Sequence, residues 1–169
     1  MSRPAAFLDR DGVINIDHGY VFEPARLDFT PTAIEGIRLL NEADYPVLVV
    51  TNQSGVARGL YGLAEVEAFH AHLNALLRQE GAHVDAFYFS PCHPEGTIAE
   101  YAIEHENRKP GIGMIRRAMR DWDVCAEGSF LIGDKQSDLD AAAAAGISGY
   151  LIEPDTGDLA ALVRACLAA

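Results

Sequence analysis

The chain has no apolar run that approaches the length of a membrane span. It opens Met1-Ser2-Arg3-Pro4 and enters its first apolar segment at once, without the stretches that make a secretory leader. Both absences predict a cytoplasmic protein with no membrane partner. Cysteine is scarce: Cys92, Cys125 and Cys166 are odd in number and well separated, which argues against a disulfide framework. Basic residues are scarce as well. Lys and Arg total 13 against 25 Asp and Glu, and the net charge of −12 argues against nucleic acid as a partner. The deficit does not exclude a small phosphorylated ligand, because a few local cations and a metal can reverse the field inside one pocket. No repeat, low-complexity tract or linker interrupts the 169 residues. One domain over 1–169 is expected, acting as a monomer.

What is present is an alternation of short apolar runs and helical periodicities. Ala5 to Leu8, Tyr45 to Val50, Ala86 to Phe89, Phe130 to Ile132 and Tyr150 to Ile152 read as strands. Thr30-Pro31 reads as an N-cap with proline at the first helical position, opening a helix to about Ala43. Further helices are predicted over about 63–79, from about Met114 to Trp122, over 138–145 and over 158–167. Residues 90–110 are left as a long irregular stretch, and loops of that length are usually functional or disordered. Strands alternating with helices imply an α/β fold with a parallel sheet and helices on both faces. Ligands then sit beyond the carboxyl ends of the strands. Polar clusters follow the first, second and fourth runs, and they meet only if the first strand lies between the other two.

The first run ends in Asp9-Arg10-Asp11-Gly12, two carboxylates spaced to point to one side. Paired like charges call for a cation, and Mg²⁺ prefers such oxygen ligands. A plain Asp-Gly turn is the competing reading of this stretch alone. One carboxylate can attack a phosphoryl group while the other handles the leaving-group proton. Thr51, at the end of the second run, and the backbone N–H groups of Asn52-Gln53-Ser54-Gly55 can donate to phosphoryl oxygens. Arg108-Lys109-Pro110 supplies a cation, and Gly133-Asp134 a third carboxylate for the metal. Asp138 is read as holding Lys135 or the first turn of its helix.

The order Asp-x-Asp, Thr, Lys, Gly-Asp resembles the haloacid dehalogenase superfamily of phosphohydrolases, over nearly the whole chain. The resemblance implies a three-layer α/β/α Rossmann-like fold around a central parallel sheet. It implies Asp9 as nucleophile, Asp11 as general acid and base, and Thr51 and Lys109 as holders of the phosphoryl group. It places Mg²⁺ on the Asp9 side chain, the Asp11 backbone carbonyl and the Asp134 side chain. Asp-Arg-Asp-Gly, Asp17-His18-Gly19-Tyr20-Val21, Thr51-Asn52-Gln53-Ser54-Gly55 and Arg108-Lys109-Pro110 together resemble the D-glycero-D-manno-heptose 1,7-bisphosphate phosphatase family. That narrower likeness implies removal of one phosphate from a sugar bisphosphate. It implies substrate contacts at Asp17, His18, Gly19, Tyr20, Asn52, Gln53, Ser54, Arg108 and Lys135. Histidinol-phosphate phosphatase shares part of the pattern and is the alternative. No long insert follows the first motif or separates Thr51 from Lys109, so no cap domain is expected.

There is one departure from that family. Its zinc loop carries Cys-x-His and then Cys-x-Cys, where this chain has Ser90-Pro91-Cys92 and His105-Glu106-Asn107. Structural zinc wants four good ligands, and Ser90 and Asn107 are poor ones beside Cys92 and His105. The expectation is a zinc-free loop held by packing of Tyr101 and Ile103 and by hydrogen bonds of Ser90, His105 and Asn107. His93 is the one further donor nearby. His70, His72 and His83 are read as structural or solvated. A phospho-receiver signalling domain is the non-enzyme rival, and Gly133-Asp134 with Asp138 argues against it. A silent phosphosugar-binding protein is disfavoured because every side chain that catalysis requires is present.

Overall fold

Of the five strands here, the three inner ones carry the near-continuous apolar sequence of strands buried on both faces, and the two edge strands are less buried. In the computed structural model, which describes all of residues 1–169, the strands are β1 (Ala6–Leu8), β2 (Val47–Asn52), β3 (Ala86–Ser90), β4 (Phe130–Gly133) and β5 (Ser148–Leu151). All pairings are parallel and the order is β3-β2-β1-β4-β5. β1 therefore lies between β2 and β4, as the polar clusters require.

Successive residues of β1 serve opposite layers. Ala6 and Leu8 join Val47, Val49, Phe130 and Ile132 in one core, covered by α1 (Ala33–Glu42), α2 (Leu63–Gln79) and α5 (Leu159–Ala168). Phe7 joins Leu48, Val50 and Leu131 in a second core, beneath α3 (Gly113–Asp121) and α4 (Gln136–Ala144). The three-layer α/β/α arrangement follows. No domain is inserted after β1 or between β2 and α2, so the carboxyl edge of the sheet stays uncovered.

Several boundaries differ from expectation, three of them for a tertiary reason. α1 begins at Ala33, and Pro31 lies outside it. Thr30 does not cap: its hydroxyl donates to the Val13 carbonyl at 2.7 Å, a buried bond that outcompetes the local one. Thr32 instead adopts a left-handed conformation (φ 61°) and its hydroxyl donates to Asp158 of the α5 cap. α4 begins two residues before Asp138, whose carboxylate accepts from the Lys135 N–H at 3.2 Å. β5 begins at Ser148, set by its pairing with Phe130 of β4.

Residues 91–112 form the long irregular stretch. Thr97 and Ile98 donate to the Ala57 carbonyl, at 2.7 and 2.9 Å, and pin the stretch to the loop after β2. Tyr101 packs on the small cluster of Val56, Tyr61 and Val66. Ile103 does not pack as expected and is 45% exposed. The loop is held there by backbone bonds and by His105, whose Nδ1 accepts from the Asn107 N–H at 3.1 Å. Ser90 is buried, and its hydroxyl accepts from the Cys92 N–H at 3.4 Å.

Candidate active site

Past β1 the Asp9 N–H still donates to Ile132, at 3.0 Å, so Asp9 extends the ladder. The chain then curls around the Arg10 carbonyl, which accepts from Val13, Ile14 and Asn15 at 3.2, 2.8 and 3.3 Å. Gly12 makes this possible with φ +82°, and a Cβ there would sit 2.5 Å from Asp134 Oδ2. Asp9 and Asp11 thereby line one cavity of about 260 Å³, together with Asp17, Gly19, Tyr20, Asn52, Gln53, Ser54, Lys109 and Lys135.

Lys109 stands at the centre. Its buried ammonium lies 3.0 Å from Asp9 Oδ1 and 2.5 Å from Asp138 Oδ1. Burial works against the charge, but the two carboxylates override it and raise the Lys109 pKa above its ordinary value. Asn52 fixes the lysine backbone from both sides: Lys109 N–H donates to Oδ1 at 2.9 Å, and Nδ2 donates to the Lys109 carbonyl at 3.1 Å. Asp138 thus reaches beyond Lys135 and the helix turn. Burial and the nearby Asp9 push its carboxyl up, and Lys109 partly offsets them. Gly133 makes room for it, since a Cβ there would meet the Asp138 side chain at 2.2 Å.

Asp134 adjoins this pair. Carboxylate oxygens of Asp9, Asp134 and Asp138 all lie within 4.8 Å of one another. Asp134 Oδ1 is buried and has no hydrogen-bond partner. Burial and the charge of Asp9 push its carboxyl up to about 7. Crowded acids with an unpartnered buried oxygen form a set that suits a hard divalent cation.

The Asp11 side chain belongs to a different network. Its Oδ1 accepts from Arg10 Nη2 at 2.9 Å, Arg10 Nε at 3.2 Å and Asn15 Nδ2 at 3.0 Å. Its Oδ2 accepts from Gln53 Nε2 at 2.9 Å. Burial alone would raise its pKa, but the Arg10 charge and these donors hold it below the ordinary value. Arg10 is itself fully buried. It donates to the Val21 carbonyl at 2.8 Å, lies 4.5 Å over the Phe69 ring and meets His70 Nε2 at 3.1 Å. His70 stacks on Phe87 at 4.4 Å, and burial with the Arg10 charge pushes its pKa down to about 3. Sequence reasoning passed over Arg10, Asn15 and the work of His70. An arginine flanked by two acids and an apolar run was the available signal.

The remaining expected residues are unevenly placed. Asp17 accepts from the Gly19 N–H at 2.9 Å, and its own N–H donates to Asp155 at 2.8 Å. Tyr20 is 46% exposed at the cavity rim. His18 faces away and pairs with Asp28 at 2.8 Å. Thr51 is buried, and its hydroxyl oxygen accepts from Gln53 Nε2 at 3.0 Å. The Gln53 N–H donates to Ser90 at 2.8 Å and is not open to a phosphoryl oxygen. Arg108 lines the adjacent cavity of about 470 Å³, with Glu104, His105 and Glu106. Its Nη1 lies 3.4 Å from the Cys92 carbonyl. Tyr61 and Ser137 also line the main cavity and were not foreseen.

Comparison with known proteins agrees with this geometry. A family model described as HAD-hydrolase-like matches residues 106–165. A D-glycero-beta-D-manno-heptose-1,7-bisphosphate 7-phosphatase of Rhodopseudomonas palustris is 47% identical over 157 residues, 93% of this chain and 87% of that protein. A D-glycero-alpha-D-manno-heptose-1,7-bisphosphate 7-phosphatase of Burkholderia mallei is 41% identical over 90% of this chain and 80% of that protein. The crystal structure of D,D-heptose 1,7-bisphosphate phosphatase from B. bronchiseptica, complexed with magnesium and phosphate, superposes with a TM-score of 0.84 at 33% identity, covering 98% of each chain. Fold and site define a HAD-like phosphoric monoester hydrolase. Within that class, the chain belongs to the D-glycero-D-manno-heptose-1,7-bisphosphate 7-phosphatase family.

The buried neutral His70 makes stability depend on pH. Its folded pKa of about 3 lies below the unfolded value of 6.5, so between these values only the unfolded chain binds the proton. Stability must fall as pH falls from 6.5, by about 1.4 kcal/mol per unit for one proton. Urea unfolding at pH 7 and pH 5 is expected to show this loss in the native chain and a smaller loss in His70→Gln. Equal losses in both would rule out His70 as the source.

Proposed function

We propose that this chain is a Mg²⁺-dependent phosphatase that removes one phosphate from D-glycero-D-manno-heptose 1,7-bisphosphate to give the heptose 1-phosphate. The observation that carries the reading is the Asp9 carboxylate, oriented by Lys109 beside the unpartnered Asp134 oxygen. The relatives named above differ in their anomer, so the proposal extends to the heptose bisphosphate and not to one anomer. A monomer is part of the proposal. Three free cysteines suit a reducing, cytoplasmic setting. No helix is long and apolar enough to cross a membrane.

Asp9, Asp134 and the Asp11 carbonyl would hold Mg²⁺, which when bound offsets the negative charge these groups share with the phosphate. Lys109 uses two ammonium protons on Asp9 and Asp138 and has a third for a phosphoryl oxygen. The Thr51 hydroxyl accepts from Gln53, which leaves its own proton to donate. Asp11, held as a carboxylate before substrate binds, first takes up a proton brought by the phosphate monoanion of the substrate. Asp9 then attacks phosphorus, the sugar oxygen leaves, and Asp11 passes that proton to it to make the hydroxyl. Asp11 then takes a proton from water as that water attacks the aspartyl phosphate, releasing inorganic phosphate and restoring Asp9. Tyr20, Asp17, Ser54 and Lys135 at the rim are the proposed sugar contacts, with Arg108 reached only by a substrate that extends toward the adjacent cavity.

Phosphate release from heptose 1,7-bisphosphate, fructose bisphosphate and histidinol phosphate is expected to rank the heptose ester first, and Asp9→Asn is expected to release none. A preference for histidinol phosphate would overturn the substrate assignment, and turnover by Asp9→Asn would overturn the covalent step.

The loop before Arg108 is proposed to need no zinc. Two of its candidate donors already serve as hydrogen-bond acceptors, His93 Nδ1 for the Glu95 N–H at 3.0 Å and His105 Nδ1 for the Asn107 N–H. Elemental analysis of protein prepared without a metal-affinity tag is expected to find no stoichiometric zinc. One zinc per chain, with a lower melting temperature on chelation, would show a working site at Cys92, His93 and His105.

A further inference from the structure

Tyr61 follows the second motif in the segment Arg58-Gly59-Leu60-Tyr61, to which no role has been given. Its ring is buried, stacks on Phe22 at 4.9 Å and lies against Gly55, where a Cβ would come within 2.2 Å of the ring. Its hydroxyl donates to Gln53 Oε1 at 2.7 Å. From this geometry we propose that Tyr61 is a positioning residue for phosphoryl transfer, acting through the Gln53 amide on Asp11 and Thr51 together. The proposal rests on the phosphatase reading above.

An amide has two chemically different ends and rotates between them at little cost unless something distinguishes them. The Asp11 carboxylate, which can only accept, distinguishes them and takes Nε2 at 2.9 Å, with Thr51 Oγ1 at 3.0 Å. Tyr61 then anchors the other end, its O–H holding Oε1 so that the amide stays seated against both partners. Reversed, the amide would present oxygen to a carboxylate. The other donors on Asp11, from Arg10 and Asn15, all reach Oδ1. Gln53 is therefore the side chain that fixes Oδ2, and with it the rotation of the carboxyl that must face the leaving oxygen. The same N–H group fills the acceptor side of Thr51, so that the Thr51 proton remains directed to another acceptor. One hydroxyl at the cavity wall thus sets a proton carrier and a phosphoryl donor at once. Gln53 is 2% exposed and its backbone N–H is also engaged, so its side chain acts within the protein.

Tyr61→Phe removes this hydroxyl and keeps the ring stacked. With the full chain in Mg²⁺, and both para-nitrophenyl phosphate and heptose 1,7-bisphosphate as substrates, kcat is expected to fall about five- to twentyfold with KM changed less than about twofold, the scale of one lost oriented hydrogen bond. The melting temperature is expected to hold within about 3 °C, the scale of a sub-kilocalorie change. Gln53→Met removes the amide, and adding Tyr61→Phe to it is expected to lower kcat no further, since the hydroxyl acts only through that amide. Unchanged kcat in Tyr61→Phe, or losses that multiply in the double variant, would overturn the proposal. So would a fall in melting temperature that accounts for the lost activity. Wild-type turnover of para-nitrophenyl phosphate without turnover of the heptose ester would count against the sugar assignment alone and leave the Tyr61 comparison decisive.

Discussion

The structure of the site depends on one buried ammonium. Lys109 Nζ bridges Asp9, at the exit of β1, and Asp138, in the first turn of α4. Without it, two carboxylates would face each other in a desolvated space. Leaving a buried charge unpaired costs about 3–5 kcal/mol, a large share of the stability of an ordinary domain. The lysine therefore ties β1, the long loop and α4 into one assembly, and Asn52 extends the tie to β2 by holding the Lys109 backbone. The arrangement is also directional. Lys109 occupies one side of Asp9, and the unpartnered oxygen of Asp134 lies in the acid cluster beside it. The cluster retains an excess of negative charge that a divalent cation would neutralise.

A second buried cation, Arg10, does comparable work for Asp11. The two aspartates are two residues apart, yet one is served by a lysine and the other by an arginine. Their environments differ accordingly. Asp11 is saturated with donors and held as a carboxylate, while Asp9 shares its surroundings with two further acids. Separating the environments of two neighbouring carboxyl groups is how one loop supplies both a nucleophile and a proton carrier.

Much of this was legible in the sequence. The placement of polar residues after the first, second and fourth apolar runs required β1 to lie between β2 and β4, as it does, because only that brings them together. Asp9, Asp11, Lys109 and Asp134 were readable because each follows a strand or precedes a helix at a point where a parallel sheet gathers its ligands. What escaped was long-range pairing. Nothing local to Asp138 indicates Lys109, 29 residues away along the chain. Nothing local to His70 indicates Arg10, and Thr30 looked like a cap because its bond to Val13 comes from a distant turn. Tyr61 escaped because a tyrosine in a polar loop is unremarkable until its hydroxyl is seen against Gln53. The likeness to the heptose phosphatases implied that Asn52 and Gln53 bind substrate; both line the cavity, and what the sequence did not indicate is that their side chains also hold Lys109, Asp11 and Thr51 in place.

The central claim is that Asp9 and Asp134 make a cation site while Asp138 serves Lys109. Calorimetric titration of the chelator-stripped protein with Mg²⁺ tests it directly. The account predicts one Mg²⁺ per chain for the wild type and at least roughly tenfold weaker binding for Asp134→Asn, which removes an anionic oxygen ligand. Unchanged Mg²⁺ affinity in Asp134→Asn would contradict it.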